Sequence, residues 1–150
     1  MRFGILTAML LLAGAPVFAA LGGDVTSIDA DRVHAKGALL RITQADRYSM
    51  HEIRTAAGTS VREYVSSSGK VFAVAWQGQF LPDFQQVLGT YFTQYQQASE
   101  RARRARHGRG PLSFQDGDLV VQMGGHQRSF SGRAYVTGLM PAGVDASAIQ

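Results

Sequence analysis

The sequence predicts an α+β protein: a mainly antiparallel sheet, built from a three-stranded meander and a C-terminal hairpin, with one long amphipathic helix packed on it. Three observations predict this class. Short alternating runs broken by Gly and Ser occupy residues 47–77, an apolar stripe at helical spacing occupies residues 84–105, and two further alternating runs occupy residues 119–136.

The meander consists of the runs RYSMHEIR, TSVREYV and KVFAVAWQ. Between the first two runs, Ala56, Ala57 and Gly58 suit a three-residue hairpin loop with the glycine in the left-handed conformation. The resulting register places Ile53 opposite Val61, His51 opposite Glu63, Glu52 opposite Arg62 and Met50 opposite Tyr64. These are chemically compatible cross-strand pairs.

The second turn of the meander is predicted at Ser68-Gly69, as a two-residue loop. This register pairs Val65 with Phe72, Glu63 with Val74 and Val61 with Trp76. We therefore expect one face of the meander to form the core, with Ile53, Val61, Val65, Phe72, Val74 and Trp76 as its members. The opposite face of the third strand carries Val71, Ala73 and Ala75, which are small enough for a second element to pack closely there.

A long helix is predicted between Asp83 and Gly108. Asp83 with Gln86 three residues later resembles a capping box, and Gly108 is a stop signal. The apolar stripe consists of Phe84, Leu88, Tyr91, Tyr95, Ala98, Ala102 and Ala105, and Val87 and Phe92 widen it. Because the second half of the stripe is all alanine, we expect the helix to bury its N-terminal half and to approach solvent at its end.

The second hairpin follows Pro111. The runs DLVVQM and RSFSGRAYV, joined by GGHQ, predict strands at Leu119–Met123 and Arg128–Val136. His126 would then lie at the hairpin tip, where a histidine is most often simply exposed.

The domain organisation has four predicted parts: a cleaved signal peptide (1–19), an N-terminal arm or short helix (20–46), a single α+β domain (47–140) and a C-terminal tail (141–150). Within the arm, a helical pattern runs from Asp29 to Leu40 and is weakened by Gly37. Within the tail, one short turn of helix is expected after Asp145.

The first residues have the pattern of an export signal. Arg2 is followed by an apolar run from Phe3 to Val17, and Val17 and Ala19 suit cleavage after Ala19. The run is shorter than the roughly 20 residues of a membrane span, so an uncleaved anchor is the less favoured interpretation. We expect a periplasmic or secreted protein without a transmembrane helix in the mature chain.

The chain contains no cysteine, which excludes disulfides, thiolate zinc sites, cysteine nucleophiles and a lipidated N-terminal cysteine. Its formal net charge of +4 is concentrated in residues 100–110, where five arginines accompany one acid. These arginines are Arg101, Arg103, Arg104, Arg106 and Arg109. The favoured interpretation is a solvated helix end, where cations offset the helix dipole.

The alternative for these arginines is an anion dock for lipid or lipopolysaccharide phosphates. Nucleic acid is the least favoured partner, because export removes it and no nucleic-acid-binding fingerprint is present.

His51 and Glu63 are the candidate catalytic residues, because the predicted register places an imidazole opposite a carboxylate among apolar side chains. One interpretation is a general acid–base pair or a partial metal site. The favoured interpretation is a paired polar couple at a sheet margin. No third ligand is visible, His34 and His107 have polar surroundings, and the sequence carries no metal, nucleophile-elbow or phosphate-loop motif. No metal or cofactor is therefore expected.

Several long blocks together resemble a known family. They are ALGGD, HEIRTAAGTSVREYVSSSGKVFAVAWQG, LPDFQQVLGTYFTQY and DLVVQMGGHQRSFSGRAYV. The sequence resembles the exported bacterial proteins of domain-of-unknown-function family 2844 over nearly all of the mature chain. The resemblance implies a Gram-negative envelope protein, but it implies no activity, ligand or catalytic residue.

The function expected from the sequence is a non-enzymatic binding or accessory module of the envelope, whose partner is another envelope protein or an anionic envelope surface. One alternative is a periplasmic hydrolase that uses His51 and Glu63. Another is an anion-docking protein that uses the arginines at 101–109.

Overall fold

A seven-stranded antiparallel sheet dominates the computed structural model, which describes residues 20–25, 38–106, 108 and 110–150. The strands are β1 (Ala38–Gln44), β2 (Tyr48–Arg54), β3 (Ser60–Ser66), β4 (Val71–Gly78), β5 (Leu112–Asp116), β6 (Leu119–His126) and β7 (Ser129–Val136). Their order across the sheet is β1-β2-β3-β4-β7-β6-β5. Two helical segments pack against one face, so the predicted α+β class is confirmed.

The register between β2 and β3 is the predicted one. Ile53 lies opposite Val61 and His51 lies opposite Glu63, and the pairs Glu52–Arg62 and Met50–Tyr64 are also present. The loop that sets this register ends in Gly58, whose φ of +84° is the left-handed conformation that the turn requires.

The register between β3 and β4 is predicted correctly only in part. Val61 pairs with Trp76 as expected, but Val65 pairs with Val71 and not with Phe72. The loop has one more residue than predicted, because the Ser66 N–H donates to the Lys70 carbonyl at 2.8 Å. Residues 67–69 therefore form a three-residue loop, and Gly69 takes the left-handed position with φ +81°.

The longer loop is accompanied by a register shift between Tyr64 and Val65, which leaves Phe72 as an extra residue in β4 and changes which side chains form the core. Val71 joins the cluster on the helix-covered face, whereas Phe72 packs on the opposite face with Ala73 and Ala75. The predictions that Phe72 belongs with Val65 and Trp76, and that Val71 shares a face with Ala73 and Ala75, are therefore wrong. The expectation that a second element packs on Ala73 and Ala75 is confirmed, because Ile149 of the tail lies there.

The helical run consists of α1 (Phe84–Leu88), a 3₁₀ turn (Gly89–Tyr91) and α2 (Phe92–Ala105). It begins as predicted: the Asp83 carboxylate accepts hydrogen bonds from the backbone N–H groups of Gln85 and Gln86. The run bends at Gly89, whose φ is +49°.

The bend brings the two helical segments together. Phe84 and Tyr95 have ring centroids 5.1 Å apart, although 11 residues of straight helix would separate their backbones by about 16 Å. Trp76 packs against Phe84 at 5.2 Å and Phe114 packs against Tyr95 at 6.1 Å. The predicted burial gradient is confirmed, since Tyr95 and Ala98 are buried and Ala105 is exposed.

Two strands were not predicted. β1 lies where a helix or an ordered arm was expected, so a helix is wrong for Ala38–Leu40. Pairing with β2 overrides the weak helical pattern there. β5, the other edge strand, pairs with β6.

The second hairpin is longer than predicted. β6 continues to His126, which pairs with Ser129, and the turn is Gln127-Arg128. The expected helical turn after Asp145 is confirmed as a 3₁₀ helix, Ala146–Ala148.

The residues that follow the predicted cleavage position belong to the core. Ala20 and Leu21 are 4% and 1% exposed, the Leu21 N–H donates to the Val87 carbonyl at 3.1 Å, and the Gly22 N–H donates to the Val71 carbonyl at 2.8 Å. The predicted signal peptide, residues 29–37 of the predicted helix, His34, His107 and Arg109 lie outside the described residues.

Gly132 provides a test of the packing around Trp76. A Cβ at this position would lie 2.5 Å from the Trp76 ring and 2.9 Å from the Gln122 carbonyl. We expect Gly132→Ala to lower the free energy of unfolding by about 1–3 kcal/mol, measured by urea titration of the fluorescence of this single tryptophan. Gly110→Ala is the matched control, because a Cβ there meets no atom within 4 Å. Equal stability of the two variants would contradict the packing described.

Candidate functional site

The C-terminal tail, residues 141–150, covers the sheet face opposite the helices, which we term the tail face. Ile149 is 1% exposed and anchors the tail in an apolar cluster on this face. The cluster includes Tyr64, Phe72, Ala73 and Ala75. The tail therefore supplies part of the second core of the protein.

The end of the tail is held through its main chain. The Tyr64 hydroxyl donates to the main-chain oxygen of Gln150 at 3.0 Å and accepts a hydrogen bond from the Gln150 N–H at 3.0 Å. Arg62 donates to the same main-chain oxygen at 2.7 Å, and its Nε lies 3.4 Å from the Glu52 carboxylate. Strand β3 thus presents a cation and a phenol to one backbone group.

Further along the sheet, Arg133 on β7 binds two carbonyl groups of the tail. Its Nη1 donates to Ala146 at 2.6 Å and to Ile149 at 2.9 Å, and its Nε donates to the Gln122 side chain at 2.8 Å. Arg47 donates to the carbonyl of Ala142 at 2.7 Å. Arginine side chains on this side of the sheet therefore hold the main chain of the protein's own tail.

Cavities lie on both sides of the last tail residues. One, of about 460 Å³, extends over β4, β7, β6 and the start of β5. The other, of about 400 Å³, extends over β1, β2 and β3. Arg62 and Gln150 line both cavities. We therefore treat the two cavities as one groove, termed the tail groove, with residue Gln150 lying between its two halves.

The tail groove is polar and cationic. Three arginines line it (Arg41, Arg62 and Arg133), and Glu52 is the single acid among its lining residues. The side chains of Gln77 and Gln122 add amide donors and acceptors. A ligand with carbonyl or other acceptor oxygens suits this lining.

The predicted pair His51 and Glu63 is brought together across β2 and β3. Ser49, two residues earlier on β2, places its Oγ 3.1 Å from Nε2 of His51. Glu63 is 4% exposed, and the cavity that it lines is only about 40 Å³ in volume. Such a space accommodates water rather than a substrate.

No group of three metal-ligating side chains occurs in residues 20–25, 38–106, 108 and 110–150. Within the same residues, no helix is both long and apolar enough to span a bilayer. His126 is exposed at the end of β6.

The structure separates the predicted arginines by their contacts. Arg101 pairs with Asp116 at 2.7 Å, and Arg104 lies 3.6 Å from Glu100. Arg106 donates to the carbonyl groups of Gly110 and Pro111. Arg103 is exposed, and Arg109 lies outside the described residues. The fold itself thus uses several of the cations that were considered for binding an external anion.

Sequence reasoning missed the tail groove. Strand alternation alone places Arg62 and Tyr64 on the face opposite Val61, and pairing of β7 with β4 adds Arg133 to that face. One signal in the sequence points to this face. The small side chains of Ala73 and Ala75 lie between strand residues that are buried on the other face, which indicates that another segment of the chain packs on them.

Together, these features define an α+β protein whose antiparallel sheet carries helices on one face and a polar groove beside the chain's own tail on the other. The chain belongs to a family of proteins of unknown function, DUF2844, whose model matches residues 17–149. The family identified from the sequence is therefore confirmed, whereas export and a bacterial envelope location stay predictions. No curated protein and no solved structure matches the chain.

Burial raises the pKa of Tyr64 above its ordinary value of 10.0, although the hydrogen bond with Gln150 and the charge of Arg62 act in the opposite direction. Burial also raises the pKa of Tyr95, against a smaller effect of Arg103. The folded protein therefore keeps these phenolic protons to higher pH than the unfolded chain does.

The raised pKa values predict a loss of stability in alkali. Their stabilising contribution is complete below pH 10 and declines as the pH rises above 10 towards the folded-state pKa values, because the unfolded chain then releases more protons. Urea titrations between pH 8 and 11 measure this slope. Tyr64→Phe should cost about 1 kcal/mol at pH 8 and reduce the alkaline slope, whereas an unchanged slope would show that Tyr64 does not contribute to it.

Proposed function

We propose that this protein is an exported, non-enzymatic binding module of the Gram-negative envelope, and that its tail groove holds an extended segment of a partner polypeptide. One observation carries the proposal: the tail face holds main-chain oxygens of the tail through Arg62, Tyr64 and Arg133, and open cavities continue on both sides of them.

The donors of the groove are not used up by the tail. Within the described part of the chain, the hydrogen bonds of Arg62 and Arg133 use Nε and Nη1 of each guanidinium group. A guanidinium group has five N–H donors, so Nη2 of each arginine remains for a ligand. A peptide offers an acceptor oxygen at every residue, which matches a row of fixed donors.

Export is inferred from the apolar run of residues 3–17 and the cleavage pattern at Val17 and Ala19, and the start of the folded chain is compatible with it. Ala20 and Leu21 are buried, and Leu21 is hydrogen-bonded to Val87, so a chain cleaved after Ala19 retains these contacts.

Photo-crosslinking in cells tests the proposal. A photoreactive amino acid at Gln122, which lines the groove, should give one discrete adduct with a polypeptide, and the exposed α2 position Thr93 should not. In this adduct, the N-terminal residue of the protein itself should be Ala20, because cleavage is predicted after Ala19. A synthetic peptide with the sequence of the crosslinked segment should bind the purified protein.

Ser131→Trp is the critical variant for that peptide, because this exposed residue lines the groove and makes none of the tail hydrogen bonds given above. We expect it to weaken peptide binding at least tenfold by filling the cavity, whereas Thr93→Trp should leave binding unchanged. Equal adducts from both crosslinking positions, a non-protein adduct, or binding insensitive to Ser131→Trp would each exclude the proposed site.

A second candidate function, hydrolysis, is favoured by the row Ser49–His51–Glu63. The 3.1 Å contact between Ser49 Oγ and His51 Nε2 is the geometry of a nucleophile and its base, and Glu63 pairs with His51 across the strands. In this role Ser49 would attack an acyl group, His51 would accept its proton and Glu63 would orient the imidazole. The small cavity beside Glu63 weighs against it.

A fluorophosphonate probe separates the two functions. Because the binding module needs no activated serine, we expect no stoichiometric labelling of the purified protein, measured by intact mass. Labelling at Ser49 that disappears in Ser49→Ala and in His51→Gln would instead establish a serine hydrolase.

A further inference from the structure

A second polar cavity lies at one end of the sheet, where the β2–β3 loop, the end of β4 and the β6–β7 turn meet. It has a volume of about 510 Å³, and we term it the hairpin cleft. Its lining residues are Arg54, Ala57, Gly58, Ser60, Gln77, Gly78, Gln79, Arg128 and Ser129. None of them is acidic.

The donors of the hairpin cleft suit an oxyanion. Arg54 and Arg128 supply two guanidinium groups, and Ser60 and Ser129 add hydroxyl groups. Guanidinium groups bind phosphate oxygens through paired N–H donors. With two cations and no carboxylate among the described lining residues, the cleft favours a phosphate-type anion over a neutral or cationic ligand.

Arg128 is held in an unusual backbone conformation. Its φ of +64° is the only positive value for a non-glycine residue in the described part of the chain. It occupies a two-residue hairpin turn, Gln127-Arg128, where glycine is the usual residue at positive φ. Retaining an arginine at a position that favours glycine is costly, and such strain is characteristic of residues held for function.

An exposed apolar pair stands beside the cleft. Phe80 and Leu81 follow the cleft residue Gln79 and are 56% and 48% exposed. The Thr59 hydroxyl donates to the Phe80 carbonyl at 2.8 Å, which fixes this loop against the β2–β3 loop. One end of the sheet thus combines cations with large exposed apolar side chains, as surfaces that lie in a membrane interface do.

We propose that the hairpin cleft binds the phosphate of an anionic lipid headgroup while Phe80 and Leu81 enter the adjoining apolar layer. A free phosphate group would use the same donors of Arg54 and Arg128, but it would leave the apolar pair without a role. The exposed pair therefore favours the lipid over the free anion. The site is separate from the proposed function of the tail groove.

Vesicle co-sedimentation of the purified protein tests this inference. We expect binding to phosphatidylcholine vesicles that contain phosphatidylglycerol, weak binding to pure phosphatidylcholine, and weaker binding as salt increases. Arg54→Gln and Arg128→Gly should each reduce partitioning about fivefold, and Phe80→Ser should reduce it by a similar factor. Arg103→Gln is the matched control, because it removes one exposed arginine outside the cleft and should have no effect.

Arg128→Gly separates binding from folding. Glycine suits the positive φ, so this variant should unfold at the same temperature as the unaltered protein or at a higher one while its partitioning to vesicles falls about fivefold. A calorimetric titration with inorganic phosphate shows whether the cleft binds free phosphate, and the vesicle experiment shows whether it binds the phosphate of a lipid headgroup. The inference is overturned if phosphate binds and vesicles do not, if neither binds, or if Arg103→Gln reduces partitioning as much as the cleft variants.

Discussion

The double burial of β4 is the constraint on which the rest of the structure depends. Every side chain from Val71 to Trp76 is buried, so both faces of this central strand need a covering layer. The helical run covers the face of Val74 and Trp76, and the C-terminal tail covers the face of Ala73 and Ala75. The small side chains on the second face explain why a short tail, rather than a second helix, is sufficient there.

The sequence predicts those parts of the fold that depend on local patterns. The register of β2 with β3 follows from one loop that ends in glycine, and the start of the helical run follows from Asp83. The three-residue loop and the register shift between Tyr64 and Val65 make Phe72 an extra residue in β4, on the same face as Ala73. Val74 and Trp76, beyond this shift, keep their predicted face. The edge strands were missed for a different reason. β1 has a weak helical pattern, and its strand conformation depends on pairing with β2.

The candidate site was much harder to predict than the core. Arg62 and Gln150 are far apart in sequence, as are Arg133 and Ala146, and no motif marks an arginine that binds a backbone carbonyl. By contrast, His51 and Glu63 are neighbours across one predicted hairpin, so local register was enough to bring them together. Their small cavity depends on Pro82 and Val87, which reach it only after the helical run packs on the sheet.

The arginines show why net charge alone does not identify a binding surface. The tail and the loop after α2 engage four of them through carbonyl groups: Arg47, Arg62, Arg106 and Arg133. Arg101 and Arg104 face carboxylates. At Arg101, Arg104 and Arg106, an external anion would have to compete with partners that are already in place, whereas Arg62 and Arg133 keep Nη2 for a ligand. Arg54 and Arg128 are different, because they line an acid-free cleft beside exposed apolar side chains. The capacity of a cation to bind a ligand therefore depends on its neighbours, and the most arginine-rich stretch of this sequence is not where those neighbours are most favourable.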